Sequence, residues 1–269
     1  MTELIEAAVE AGRPTTPANA AGRLLAVLDA FGPRNRALSL SDISRRSGLS
    51  LSTAHRLVHE LQSWGALERD ADGRYSIGVR LLELAVLAPR GLALREAAFP
   101  ALDDLHHRIR GNVHLGVLDG AEVLYVEVIR ACATHPTNAK VGDRWPIHVP
   151  VTGLVLLAYA HREFQENILR HPLEPVSPHT VTNPAELRRR LAQVRHSGFA
   201  AVVIEVTPPD VVVAVPVRDP SGNVAAAVNV VVEASRARPR VLARMLLDAS
   251  AEITRRMAAQ SGQQIHSMS

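Results

Sequence analysis

Ser52, Arg56, His59 and Ser63 follow one another at intervals of four, three and four residues. On a helix that spacing places them in one stripe, while Ala54, Leu57, Val58 and Leu61 fall in the opposite stripe. The apolar stripe packs; the other presents hydroxyl, guanidinium and imidazole groups outward. A helix fits the major groove of B-form DNA, where such groups reach base edges and phosphates. Taken alone, the pattern equally describes an ordinary amphipathic surface helix, so its neighbours must decide.

Other chemistry is harder to assemble. His106 and His107 are adjacent, and on a helix they point about 100° apart, which is wrong for a metal pair. His59-Glu60 lacks the second histidine of a zinc-protease helix. There is no Gly-x-Ser-x-Gly, no phosphate loop ending in Gly-Lys-Ser/Thr and no Gly-x-Gly-x-x-Gly. No nucleophile is paired with a base. The residues therefore predict no catalytic site, no metal and no cofactor. Two rivals remain for testing: an enzyme with an accessory DNA-binding domain, and an architectural DNA-binder without any ligand.

Bulk properties fit a folded chain of one or two domains. Of 269 residues, 47% are hydrophobic, ample for packed cores. Cys132 is the single cysteine, so no internal disulfide is possible, as suits a reducing compartment. Met1 to Ala20 is acidic and Ala-rich, unlike a secretory signal. The runs Val211–Val217 and Val224–Val232 are far too short for a membrane span and are expected as strands. A cytoplasmic protein without a membrane partner is the expectation. From Arg34 to Arg80 there are eight arginines and five acids, an excess of three that equals the formal charge of the whole chain, +3. Clustered positive charge is an electrostatic footprint for phosphate.

The elements around the striped helix favour the DNA reading. A helix carrying Leu24, Leu25, Val27, Leu28 and Phe31 stops at Gly32-Pro33. Ser39 followed by Asp42 is a capping-box start for a second helix through Ile43 to Ser47. Gly48-Leu49-Ser50 makes a tight turn, and Ser50 caps the striped helix, which Gly65 ends. Leu67-Glu68-Arg69 and Arg74–Ile77 alternate like strands about Asp70-Ala71-Asp72-Gly73, a hairpin signal. Three helices with a tight middle turn and a basic hairpin describe a winged helix-turn-helix, expected over 19–78 after a flexible leader, 1–18. A linker helix, 79–91, precedes a second domain, 92–262. There, helices are expected near Leu94–Ile109, Val151–Leu169, 184–197 and Pro239–Ala259. Strands are expected at Val113–Leu118, Glu122–Ile129, Val202–Val206, Val211–Val217 and Val224–Val232, with a loop from Ala131 to Gly142. Paired strands among long helices predict an α+β fold.

From about Ala20 to Met257 the chain resembles the IclR (isocitrate lyase regulator) family of transcription factors. The residues that carry the likeness are Ile43–Leu49, Ser52-Thr53 with Arg56-Leu57, Leu67–Asp70 leading to Gly73-Arg74-Tyr75, Val113-His114-Leu115, Leu118-Asp119-Gly120, Val141-Gly142, Pro146-Ile147-His148, Gly153 and Ala214–Val217. The resemblance implies a winged helix-turn-helix, a linker helix and a C-terminal GAF-like mixed α/β effector-binding domain. It also implies a homodimer or homotetramer on double-stranded operator DNA, modulated by a small metabolite such as an organic or aromatic acid. Repression is the expected sign. Arg45, Ser50, Ser52, Thr53, His55, Arg56 and His59, with Arg69 and Arg74 on the wing, are the expected DNA contacts. Asn112, His114, Gly142, His148, Gly153 and Val212 are the expected effector contacts. The chain departs from the family pattern at Leu51, where many members have arginine; at Ser44, for alanine; at Leu154, for lysine; and at Val212, for cysteine. An effector site more apolar than usual is the consequence, suited to a mostly apolar molecule with one polar end.

Overall fold

A computed structural model of the chain describes residues 19–32, 35–87, 92–131, 139–177, 179–204 and 209–267. The expected leader, Cys132 with most of its loop, and Pro89 lie outside these residues. The described residues fall into two separately packed units, one running up to Leu92 and the other from Ala93 onward.

The first unit is ordered by its caps. Helix α1 (Ala20–Asp29) starts at Asn19, whose side chain accepts from the Gly22 N–H at 2.7 Å. Helix α2 (Leu40–Ser47) opens on the expected capping box, in which Ser39 and Asp42 each accept a backbone N–H of the other. The Ser39 hydroxyl, which donates to the Asp42 carboxylate at 2.7 Å, and the Ser39 N–H together hold that carboxyl below its ordinary range. Gly48 follows at φ 68°, a left-handed conformation that glycine adopts without strain, and it turns the chain into helix α3 (Leu51–Trp64), capped by Ser50. Strand β1 (Ala37–Leu38) joins the hairpin of β2 (Leu67–Arg69) and β3 (Tyr75–Ile77) in the antiparallel order β1-β3-β2. Val27, Ile43, Ala54, Leu57, Val58, Leu61, Leu67 and Tyr75 close the core between helices and hairpin. Helix α4 (Val79–Ala85) follows, with no buried residue.

The second unit is built on one sheet. Helix α5 (Leu92–Ile109) leads into β4 (Asn112–Asp119), β5 (Glu122–Ile129) and β6 (Arg144–Pro146). Helices α6 (Val151–Tyr159), α7 (Arg162–Arg170) and α8 (Pro184–Ser197) follow, then β7 (Ala200–Ile204), β8 (Asp210–Arg218), β9 (Val224–Glu233) and helix α9 (Pro239–Ser267). The six strands pair antiparallel in the order β6-β5-β4-β9-β8-β7. Helices α5 and α9 cover one face through Val113, Leu115 and Val117 of β4 and Val211, Val213, Val215 and Val217 of β8. The residues between them face α6 and α8, where Val212, Ala214 and Ala227 join a second core. Both faces are thus buried, which is why β8 and β9 read as long apolar runs in the sequence, broken within Val224–Val232 only by Asn229.

Two expectations shift. The strand expected at Val202–Val206 runs Ala200–Ile204, and residues 205–208 lie outside the described ones. The single helix expected over Val151–Leu169 is broken: between α6 and α7, Ala160 (ψ 162°) is extended and His161 (ψ 142°) is non-helical. The break frees carbonyls that side chains then fill. Gln165 Nε2 donates to the Ala160 oxygen at 2.8 Å, and Arg195 donates to that of Ala158 at 3.2 Å. Apolar periodicity does not register such a corner, because the partners come from further along the chain.

Helix α6 lies unusually close to the segment before it. A Cβ on Gly153 would sit 2.0 Å from the Ile147 carbonyl oxygen and 3.1 Å from Val123 Cγ2. Gly153→Ala must push helix and sheet apart and is expected to lower stability by about 1–3 kcal/mol. Urea denaturation should show an earlier midpoint at unchanged slope; an unchanged midpoint would refute the close packing.

Candidate nucleic-acid interface and ligand site

The striped helix is α3, and its two faces divide as its spacing requires. Ala54, Leu57, Val58 and Leu61 are buried, whereas Ser52, His55, Arg56, His59 and Ser63 are exposed. Thr53 is half-buried, its hydroxyl 2.9 Å from that of Ser50, which in turn accepts the Thr53 N–H. Ser50 is therefore engaged as the cap. Arg56 pairs with Glu60 at 2.6 Å and Arg45 with Asp42 at 2.7 Å, all exposed enough for water to compete. Such pairs contribute only about 0–1 kcal/mol, so phosphates can take the guanidinium. On the wing, Arg69 lies over the Tyr75 ring at 5.4 Å and donates to the Gly73 carbonyl at 3.3 Å, and Arg74 is exposed beside it. Leu51 is 53% exposed in the first turn of α3, an apolar side chain on the outward face.

The expected effector residues fall into two groups. Asn112, His114 and Val212 project from the same face of the sheet, on neighbouring rungs of its ladder. His114 lies opposite Asn229, which lies opposite Ala214; Asn112 lies opposite Val231, which lies opposite Val212. Gly142, His148 and Gly153 do other work nearby. The Gly142 N–H donates to the Tyr125 carbonyl at 2.8 Å, the buried His148 donates to the Glu174 carbonyl at 3.0 Å, and Gly153 sets the helix contact described above.

Around His114 the structure gathers residues that sequence reasoning missed. The imidazole meets the Tyr125 ring edge-on at 5.5 Å. Asn229 donates from Nδ2 to the Thr152 hydroxyl at 2.8 Å, and that hydroxyl also hydrogen-bonds Tyr125. All four are buried. Burial pushes the Tyr125 phenol up to about 12 and, with the charge of Arg130, pushes the His114 imidazole down to about 4, so both are neutral at pH 7. Two atoms in this cluster, His114 Nε2 and Asn229 Oδ1, are buried without a hydrogen-bond partner. Asn229 was visible as the one polar residue in the apolar run Val224–Val232, a signal that marks a deliberate buried amide. Among the described residues no three of His, Cys, Asp and Glu converge as metal ligands, and no helix is long and apolar enough to cross a membrane.

The depressed imidazole makes acid a specific stress. In the unfolded chain His114 regains its ordinary value of 6.5, so the unfolded state binds the extra proton first. Stability is therefore expected to fall as pH drops from 6.5 towards 4, by at most about 3 kcal/mol from this residue. Denaturation of the wild type and of His114→Phe across this window should show the difference; parallel curves would refute the assignment.

Known proteins agree with this architecture. Residues 20–71 match the IclR helix-turn-helix domain, and residues 87–256 match the C-terminal domain of the bacterial transcriptional regulator IclR. The transcriptional regulator XynR of Escherichia coli is 32% identical over 216 residues, covering 80% of this chain and 86% of its own. The glycerol operon regulatory protein of Streptomyces coelicolor is 33% identical over 201 residues, covering 73% and 78%. Among solved structures, an IclR homolog from Microbacterium hydrocarbonoxydans, complexed with 4-hydroxybenzoate, is 36% identical with a TM-score of 0.80 and covers 88% of this chain and 98% of its own. A transcriptional regulator from Rhodococcus sp. RHA1 is 28% identical with a TM-score of 0.74, covering 89% and 98%. With a helix-turn-helix whose outward face is polar and basic, followed in the sequence by the IclR C-terminal domain, the chain belongs to the IclR family of DNA-binding transcriptional regulators.

Proposed function

We propose that this regulator is a repressor that binds operator DNA as a dimer or tetramer and responds to a small organic or aromatic acid held against the α6 face of the second unit's sheet. The observation that carries the reading is the buried cluster of His114, Asn229, Thr152 and Tyr125, polar groups gathered in an otherwise apolar core. A structural core has no need of such a cluster; a ligand site uses a few placed polar groups in apolar walls. The 4-hydroxybenzoate in the Microbacterium homolog supports an aromatic acid as the ligand. Val79, Leu82, Val86 and Leu87, apolar and exposed on and just after α4, support self-association there. Two-fold pairing would set half-sites about one or more helical turns apart. The protein acts in the cytoplasm, without catalysis, through unequal affinity of the effector for the DNA-competent and DNA-incompetent states.

In this reading, Ser52, Thr53, Arg56 and the neighbouring His55 and His59 face the major groove, with Arg45, Ser50, Arg69 and Arg74 along the backbone. Arg56→Ala is expected to lose about 1–3 kcal/mol of specific binding if the guanidinium reads a base. Arg74→Ala is expected to weaken operator and random DNA alike and to flatten the salt dependence. Fluorescence anisotropy on the promoter beside its own gene checks both. Unchanged operator affinity for Arg56→Ala removes it from the interface. The same titration with and without aromatic acids tests the effector: release of DNA supports repression, and tighter binding or no response contradicts it.

A further inference from the structure

The two unfilled hydrogen-bonding atoms of the buried cluster have a defined chemistry. Asn229 spends Nδ2 on the Thr152 hydroxyl, which leaves Oδ1, an acceptor, unfilled. His114 stands directly across the strands from Asn229, with Nε2 unfilled. The rest of the neighbourhood is already satisfied: Asn112 Oδ1 accepts the Ala131 N–H at 2.8 Å, and His148 donates to the Glu174 carbonyl. Above and beside the pair lie Val128, Ala214, Ala227, Val231 and Val212, which offer no hydrogen bond.

We propose that His114 and Asn229 are the specificity-determining pair of the effector site and that they select a molecule bearing a hydroxyl group, the imidazole N–H donating to the hydroxyl oxygen and the amide carbonyl accepting its proton. This rests on the reading of that sheet face as the effector site. The Nε2–H tautomer, the more stable form of a free neutral imidazole, supplies the donor. One donor and one acceptor side by side match a hydroxyl, which is both. A carboxylate fits poorly at this point, since its lone pairs would face the Asn229 carbonyl and a neutral imidazole. Burial keeps the imidazole uncharged, so it brings no countercharge. An effector acid would then enter hydroxyl first, with its carboxylate directed away from the pair. Leaving out the hydroxyl strands two buried polar atoms, and this is the condition under which a site rejects an analogue strongly.

The test uses the full-length protein and two matched pairs of probes, 4-hydroxybenzoate with benzoate and 3-hydroxybutyrate with butyrate, titrated by calorimetry. In at least one pair the hydroxylated member is expected to bind about tenfold or more tighter. In Asn229→Leu and His114→Phe that preference should collapse, largely through weaker binding of the hydroxylated member. Wild-type protein labelled with nitrogen-15 at histidine gives a readout that needs no variant to fold: the His114 Nε2 resonance should move with the hydroxylated acid and not with its partner. Equal affinities within every pair that binds overturn the proposal and leave the effector reading standing; the two atoms then hold only water. A preference that survives in both variants, or a His114 resonance that never moves, also overturns it. If no probe binds or alters operator affinity, the acid-effector reading falls, and this proposal with it.

Discussion

The second unit depends on a sheet that is buried on both faces, so each strand must serve two different cores with alternate residues. Along β4, Val113, Leu115 and Val117 enter the dry layer under α5 and α9, while Asn112, His114 and Gly116 face α6. A slip of one residue would exchange the two sets, placing an imidazole in the dry layer and valines in the polar cluster. Register is therefore strongly specified, and with it the placement of His114 against Asn229. The same alternation explains why the buried polar side chains can be few: the sheet backbone satisfies itself, and the polar cluster gathers on one face only.

The two faces also treat charge differently. Glu127, on the dry side, is buried, yet Arg95 of α5 donates to it at 2.6 Å and the Val128 N–H at 2.9 Å. A carboxylate so held tolerates burial because both oxygens are occupied. Across the sheet, His114 lacks such partners and stays neutral instead. Where partners are supplied, the carboxylate ties the first turns of α5 to β5. Where they are withheld, the group sheds its charge and keeps an open valence. Strands β4 and β9 pack their opposite faces on α5 and α9, so a change at His114 or Asn229 has a path into those helices. A tenfold change in operator affinity needs only about 1.4 kcal/mol of difference between two such packings.

In the first unit the constraint is of another kind. Helix α3 is a core element that also keeps a polar outward face, and it manages both because buried and exposed residues keep the helical period over its whole length. Its start is set by Ser50 and its entry angle by Gly48, so the outward face is positioned by capping chemistry before any DNA is present. Leu51, beside that cap, offers a methyl-bearing surface where the family often has a charge. Apolar contact suits a thymine methyl group but not a phosphate.

The winged helix was legible in the amino-acid sequence because its signals are local. Ser39 with Asp42, Gly48, Ser50 and the Asp-Gly hairpin act within a turn of where they stand, and the stripes of α3 need only its own residues. The apolar runs of β8 and β9 likewise announced strands. His114 and Asn112 were found through likeness to a family. What joins them was not legible. Asn229 and Thr152 are 77 residues apart, and nothing short of the antiparallel order of the sheet and the seating of α6 brings them within 2.8 Å. The corner at Ala160-His161 was hidden for the same reason, since Arg195 lies 37 residues on from the carbonyl it fills. That Gly153 is also the point where α6 approaches a backbone carbonyl was not legible, being a matter of distance between elements. Local chemistry decides caps, turns and faces. Which polar groups end up buried together, and which of their atoms stay unfilled, is decided only when distant segments are packed against one another.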